Sequence, residues 1–360
     1  MIARHLASSS GITRFVTATP AAAQQAFSTS PAVAKGIQNV TVFGAGLMGA
    51  GIAQVLAHKG KYNVTLADVT DKALVNGQKI ISKSLARIAR KTLADKSEDE
   101  QSKFVQDVVS SIQITTDARE AVSETDLVIE AIIENVGIKQ ELFRYLDSYA
   151  PAEAVFASNT SSLSIKDVAK STQRLDRFGG ELYMVARKRG ACVSLTTRAR
   201  VRARAPPTGF HAFNPVPQMK LVEVVRTKET SDTTFEGLME VAKRMGKTPV
   251  ACVDAPGFIV NRLLVPYMLE AIRLVERGEA TPRDVDTAMK LGAGYPMGPF
   301  ELSDLVGLDT LNHISRGWRE SRVQTGEIAE NVVAASPLLE KLIAEGRLGK
   351  KSEKGGFYDN

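Results

Sequence analysis

The sequence predicts an α/β fold, a mostly parallel sheet wrapped by helices and followed by an all-helical C-terminal domain. Short β-branched runs alternate with amphipathic helical stretches through the first two thirds of the chain. The first such unit reads strand, glycine turn, helix, strand. Beyond residue 254 apolar residues recur at helical spacing only. The expected organisation is a leader over 1–35, a sheet domain over 36–253 and a helical domain over 254–360.

The leader comes first. No Asp or Glu occurs before Asp68, and the first 35 residues hold Arg4, Arg14 and Lys35 among many Ser, Thr and Ala. That composition predicts a mitochondrial transit peptide and a matrix enzyme; a disordered tail shares the composition and is the plainer alternative.

The first unit follows. "NVTVFGAG" from Asn39 ends in a turn, Gly44, Gly46 and Gly49 open the helix "MGAGIAQVLAHKG", and "YNVTLAD" ends in Asp68, 19 residues after Gly49. Gly44 allows the tight turn, Gly46 lets backbone N–H groups approach a pyrophosphate, and Gly49 lets helix and strand pack closely. Leu47 and Met48 fill the variable positions where the helix N-terminus offers its dipole to phosphates. Asp68 accepts hydrogen bonds from an adenosine ribose and repels a 2′-phosphate, which favours NAD over NADP. Together these parts predict a Rossmann-type dinucleotide domain, although a lone glycine pattern also arises for structural reasons.

"DKALVNGQKIISKSLARIARKTL" is the next helix, with Ile81, Leu85 and Ile88 on one face and Lys79, Lys83 and Arg87 on another. A solvated basic face is the ordinary reading; a phosphate-bearing ligand is the other. Residues 95–100 are expected to be a polar link to another helix. "TDLVIEAIIEN" then reads as a buried strand, and "AVFASNTSSLSI" as a strand ending in hydroxylated residues. Glu134 and Ser161 therefore fall at strand carboxyl ends, where ligands bind, although Asn159, Ser161 and Ser162 also suit a helix N-cap.

"HAFNPVPQMKLVEVV" is expected to place His211 in a proline-rich turn and Glu223 on the following strand. Histidine is the commonest general base near neutral pH, and a carboxylate on its other nitrogen fixes the tautomer. Asp254 is expected to cap a helix with Pro256 in its first turn and an end at Gly278. Two more helices are expected around "PRDVDTAMKLG" and "PFELSDLVGLDTLNHI".

Composition limits the alternatives. The chain carries 46 Lys+Arg against 40 Asp+Glu, but seven of the basic residues and only Glu181 among the acids lie within residues 181–209. The net +6 is therefore local and does not indicate a nucleic-acid partner. The longest apolar run is broken by Asn261, Arg262, Glu270 and Arg273, so no membrane span is expected. Cys192 and Cys252 alone supply neither a disulfide framework nor a metal site.

The stretches "GAGLMGAGIA", "EAIIENVGIKQELF", "ASNTSSL", "HAFNPVPQMKLVEVV", "PGFIVNRLLVPYMLEAIRLVERG" and "AMKLGAGYPMGPFEL" resemble the L-3-hydroxyacyl-CoA dehydrogenase family, in particular its mitochondrial short-chain branch. The likeness runs in order from 38 to 358 apart from 181–209. It implies oxidation of the 3-hydroxyl of an acyl-CoA by NAD in fatty acid β-oxidation. It also implies His211 as base, Glu223 orienting it, Ser161 and Asn261 holding the reacting oxygen, and Asn214 supporting the site. Asp68, Glu134, Lys139 and Lys351 fall on family cofactor positions, Ser84 and Lys91 on CoA positions, and the helical domain is implied to form a homodimer. Two alternatives remain: a related dehydrogenase acting on a sugar acid or other hydroxy acid, and a catalytically impaired NAD-binding protein.

That last alternative arises from residues 181–209, which lack strand or helix periodicity and end in "RARVRARAPP". The family runs from a motif like "RFGG" through one apolar residue to the histidine. Gly180-Glu181 can be encoded GGTGAG, a splice-donor pattern, and Pro206-Pro207-Thr208-Gly209 can approach an acceptor AG. The stretch is expected to be a translated retained intron, with a lineage-specific loop as the other reading.

Overall fold

The structure is a computed structural model and describes residues 36–172 and 208–359. Among the described residues eight strands form one sheet: β1 Asn39–Phe43, β2 Asn63–Ala67, β3 Ile112–Thr115, β4 Leu127–Glu130, β5 Val155–Ser158, β6 Thr208–Ala212, β7 Leu221–Arg226 and β8 Thr248–Val253. Their order is β3-β2-β1-β4-β5-β6-β7-β8, parallel throughout except where β6 meets β7. From β1 the chain goes first to one side, through β2 and β3, and then to the other, through β4. That switch opens a crevice beyond the carboxyl ends of β1 and β4.

Helices cover both faces. On one, α1 Leu47–Val55, α2 Asp71–Thr92 and α7 Asp232–Arg244 bury Ile52, Leu74, Leu85 and Leu238 against Val42, Leu66 and Val224. On the other, α4 Ala118–Val122, α5 Val136–Asp147 and α6 Ile165–Ala169 pack Val122, Phe143 and Val168 onto Phe43, Val128 and Phe156. Four-residue strands such as "LVIE" are apolar on both sides because both faces are covered. The π-helical turn Leu56–Gly60 extends α1.

α3 spans Glu98–Ser110, so half of the expected polar link is helix. Ser97 and Glu100 form a capping box, each side chain bonding the other's backbone N–H, and the link ends where that box begins.

After β8 the chain is helical: α8 Val260–Glu276, α9 Pro282–Gly292, α10 Pro299–Val306, α11 Leu308–Ser321 and α12 Pro337–Ala344. Val265, Leu269, Ile272, Phe300, Leu311 and Trp318 make its core. Two expectations change here. Asp254 does not cap the following helix: its carboxylate takes Ser164 Oγ at 2.8 Å and the N–H groups of Ile165 and Lys166 at 2.9 Å, closing the start of α6. Gly257 and Phe258, both at positive φ, hold the chain out of helix until Val260. The expected last helix is two, because Gly307 at φ 102° separates α10 from α11.

Residues 1–35 and most of 181–209, where a transit peptide and an intron-derived stretch are expected, lie outside the described residues. Thr208 and Gly209 are described, and they form the first half of β6, paired with Ala157 and Ser158.

Candidate active site

The glycine turn separates three jobs. Gly44 sits at φ 100°, and a Cβ there would lie 2.5 Å from the carbonyl oxygen of Ala131 at the end of β4. Gly49 has no room either, since its Cβ would collide with the carbonyl of Gly44. Gly46 has no neighbour within 4 Å of such a Cβ. Packing therefore explains the first and last glycines, while the middle one borders open crevice. Gly46 also brings no capping side chain to the start of α1, so the helix N-terminus faces that space through backbone alone.

Asp68 directly follows β2, beside the turn. One carboxylate oxygen accepts from Ala45 N at 2.7 Å and the other from Val69 N at 2.7 Å, which fixes the side chain and leaves further lone pairs for a ribose. Leu47 stands exposed at the helix start, whereas Met48 packs against the core behind it. Val69 and Ile133, exposed just past β2 and β4, supply apolar surface that no motif singled out. These residues fit a dinucleotide: open space at Gly46, an uncapped helix start, a held carboxylate and apolar walls.

A second group assembles beyond β5, β6 and β7. His211 lies on β6, not in the expected turn; the turn with its prolines begins two residues later. β6 runs antiparallel to β7 with His211 directly opposite Glu223. Residues facing each other across such a pair project to the same side, so the sheet itself brings imidazole and carboxylate together. Nδ1 of His211 lies 2.8 Å from Glu223 Oε2, and Nε2 lies 3.2 Å from Ser161 Oγ. A carboxylate accepts only, so Nδ1 carries the proton and Nε2 presents its lone pair toward Ser161.

Glu223 also serves the helical domain. Its Oε1 accepts the N–H groups of Ile259 at 3.0 Å and Val260 at 2.9 Å, closing the start of α8. Burial pushes its carboxyl up, but the hydrogen bonds from His211, Val260 and Ile259 outweigh burial and hold it below the ordinary range. α8 carries Asn261, whose Nδ2 donates to the carbonyl of Ser161 at 3.2 Å. Asn159 does not cap the following helix, which Ser164 does: its Oδ1 takes the N–H of Ala212 at 2.8 Å and ties β6 to β5. Phe213 and Phe258, at ring distances of 4.5 and 5.4 Å, wall the imidazole. Asn214 is exposed at the head of the next turn.

Glu134 stands under the Ser161 loop, accepting from Thr160 Oγ1 at 2.6 Å, Ser161 N at 2.9 Å and Ser162 N at 3.2 Å. Burial raises its carboxyl, and Lys139 with those donors brings it below the ordinary range. Lys139 itself is fully enclosed between Glu130 and Glu134. Lys351 lies on the helical domain, where its described partners are Asp309 at 2.5 Å and Thr310 at 3.5 Å. Ser84, half-buried, and Lys91, exposed, lie two turns apart on α2 with Ile88 between them.

Phe213, Phe258, Val69, Ile133 and the ion pair of Glu130 with Lys139 are site features that the sequence left unremarked. Ring walls and ion pairs need tertiary distances, although two exposed apolar residues each just after a strand end are a readable hint at Val69 and Ile133.

Among the described residues no cluster of His, Cys, Asp or Glu could hold a metal ion, and no helix is long and apolar enough to cross a membrane.

Comparisons with known proteins point one way. The family model "3-hydroxyacyl-CoA dehydrogenase, NAD binding domain" matches residues 39–184 and 194–255, passing over 185–193 within the basic stretch. The model "3-hydroxyacyl-CoA dehydrogenase, C-terminal domain" matches residues 257–360. The mitochondrial hydroxyacyl-coenzyme A dehydrogenase of Homo sapiens is 50% identical over 336 residues, covering 92% of this chain and 94% of that one. Among solved structures, M. tuberculosis FadB2 superposes with a TM-score of 0.74 at 36% identity, over 91% of this chain and 100% of the other. The (S)-3-hydroxybutyryl-CoA dehydrogenase of Ralstonia eutropha gives 0.72 at 33%, over 90% and 99%.

Proposed function

The chain belongs to the 3-hydroxyacyl-CoA dehydrogenase family, and from that premise we propose that it oxidises L-3-hydroxyacyl-CoA to 3-oxoacyl-CoA with His211 as general base. The observation that carries the reading is the His211 ring held between Glu223 and Ser161 at 2.8 and 3.2 Å.

NAD, when bound, supplies the acceptor for the hydride that leaves C3. The glycine turn and Asp68 hold that cofactor, with Asp68 selecting against a 2′-phosphate. Nε2 of His211 takes the proton of the 3-hydroxyl, so that the C3–H pair leaves as hydride while the oxygen closes to a carbonyl. Glu223 stabilises the imidazolium so formed and keeps Nδ1 protonated throughout. Ser161 Oγ, 3.2 Å from Nε2, lies where it can donate to the same oxygen. Asn261 reaches that loop from the helical domain, and Asn214 supports the mouth of the site. A well-placed donor of this kind contributes on the order of 3 kcal/mol to transition-state stabilisation.

Ser84 and Lys91 line one side of α2 and are assigned to the CoA moiety, whose phosphates suit the basic face. The helical domain is assigned to dimerisation. Leu263, Leu291 and Leu305 on α8, α9 and α10 are exposed by 68%, 84% and 54%, a set of leucines that a partner's surface would cover. The relatives named mitochondrial and the acid-free first 35 residues support a mitochondrial enzyme, with the matrix as its compartment.

The test is NADH formation, followed by absorbance, from NAD with L-3-hydroxybutyryl-CoA, its D isomer, and L-3-hydroxybutyrate without CoA. Turnover of the L-CoA ester alone, inhibited by free CoA, is the expected result. Equal use of the CoA-free acid would contradict the substrate assignment.

A further inference from the structure

Asp254 takes no part in the mechanism above, yet its carboxylate reaches the loop that carries Ser161. It directly follows β8, and its backbone N–H donates to the carbonyl of Arg226 at 3.1 Å, which fixes it at the end of β7. Its Oδ2 accepts from Ser164 Oγ at 2.8 Å and Lys166 N at 2.9 Å, and its Oδ1 from Ile165 N at 2.9 Å. Those three donors stand at the exit of the loop between β5 and α6.

The residues that follow Asp254 hold the same loop. Phe258, whose ring lies 5.4 Å from that of His211, packs on the buried side chain of Ile165. Asn261 Nδ2 donates to the carbonyl of Ser161 at 3.2 Å. The stretch from Asp254 to Asn261, where the chain passes from the sheet to the helical domain, therefore grips the loop at three points. α6 has a cap of its own, since Ser164 Oγ accepts from Asp167 N at 3.3 Å. What the Asp254 carboxylate adds is a tie between segments 89 residues apart in sequence. Bonds to a charged acceptor are about twice as strong as neutral ones, and a bonded network allows few alternative arrangements. Ser161 and Ser164 are close neighbours in the chain, so a shift of the anchor carries to the Ser161 hydroxyl.

We propose that Asp254 is a positioning residue: it anchors the exit of the Ser161 loop to the interdomain stretch and so sets Ser161 Oγ against His211 Nε2. The proposal rests on the roles given above to Ser161 and His211. Without the carboxylate, two backbone N–H groups and the Ser164 hydroxyl lose their acceptor and the loop settles elsewhere. A displacement of about 1 Å at reacting groups costs on the order of a hundredfold in rate.

The experiment uses the full chain and the variants Asp254→Ala, Asp254→Asn and Ser164→Ala, each made alone and together with Ser161→Ala. kcat is measured with L-3-hydroxybutyryl-CoA and per folded protein, together with the primary isotope effect for substrate deuterated at C3. Asp254→Ala is expected to lower kcat by about ten- to a hundredfold and to raise the isotope effect as the chemical step slows. Asp254→Asn, which keeps one acceptor oxygen, should recover part of that loss. Ser164→Ala removes one of the three donors, shows the same direction at smaller size, and covers the case in which Asp254→Ala fails to fold. Because Asp254 acts through Ser161, either change should cost less than about twofold once Ser161 is alanine. An undiminished loss in the Ser161→Ala background would overturn the proposal in favour of a general structural role, as would parent-like kcat in the Asp254 and Ser164 variants. Ser161→Ala with the parent's kcat would instead overturn the role of Ser161, and a parent that does not oxidise the ester would overturn the functional reading; either takes this proposal with it.

Discussion

An alanine at Gly46 meets no protein atom, whereas one at Gly49 meets the carbonyl of Gly44. Gly46→Ala should therefore keep the parent's Tm and weaken NADH binding by on the order of tenfold, about 1.4 kcal/mol. Gly49→Ala should lower stability by about 1–3 kcal/mol through overpacking. Calorimetry and NADH titration check both, and a destabilised Gly46→Ala would contradict the separation of roles. Glu223 joins two tasks in one carboxylate. Its folded-state value is held below the ordinary 4.5, so the stability it contributes is complete above that value and is lost as pH falls through the lowered one. Glu223→Gln should flatten this part of the acid limb of a stability–pH curve and lower kcat by about a hundredfold or more. An unchanged acid limb would show that the α8 amides and His211 draw little from the charge.

Among the elements, β6 has the least ordinary surroundings. The described pairing of β5 with β6 is two residues long, and Thr208 Oγ1 is buried without a partner. An unsatisfied buried hydroxyl costs about 1–3 kcal/mol. Gly209 is packed so that a Cβ would lie 2.7 Å from Val225 and 2.9 Å from Ile165. Removing residues 181–209 seats Gly179 and Gly180 in those two positions: the hydroxyl disappears and the required glycine is kept. The shortened chain should melt a few degrees higher and turn over at least as fast, and a lower Tm would contradict this register. The glycine turn, Asp68 and the pairing of His211 with Glu223 are legible in the sequence because their spacing along the chain is the spacing of the chemistry. The strand under His211 is not, since Pro215 and Pro217 dominate the local pattern and the lead-in is interrupted. Asp254 closes a helix about ninety residues earlier in the chain, and Lys139 finds its partner across a turn; neither contact has a local signature.

At the scale of the molecule, the site is shared between the sheet and the helical domain. Glu223 closes α8, and Asn261 on α8 returns to the Ser161 loop, so the helical domain helps to build the site it packs against. If the exposed leucines of α8 and α10 face a second copy, Leu263→Glu with Leu305→Glu should give a monomer by sedimentation. A parent that is itself monomeric would remove the dimer from this account. The central claim is that His211, set by Glu223, removes the hydroxyl proton as C3 is oxidised. Its most direct test compares NADH formation from L-3-hydroxybutyryl-CoA by the shortened chain and by its His211→Gln variant, each with NADH affinity measured alongside. Loss of about a thousandfold in kcat with NADH affinity kept is the predicted result. A variant that still turns over at the parent's rate would place the base elsewhere and contradict the account.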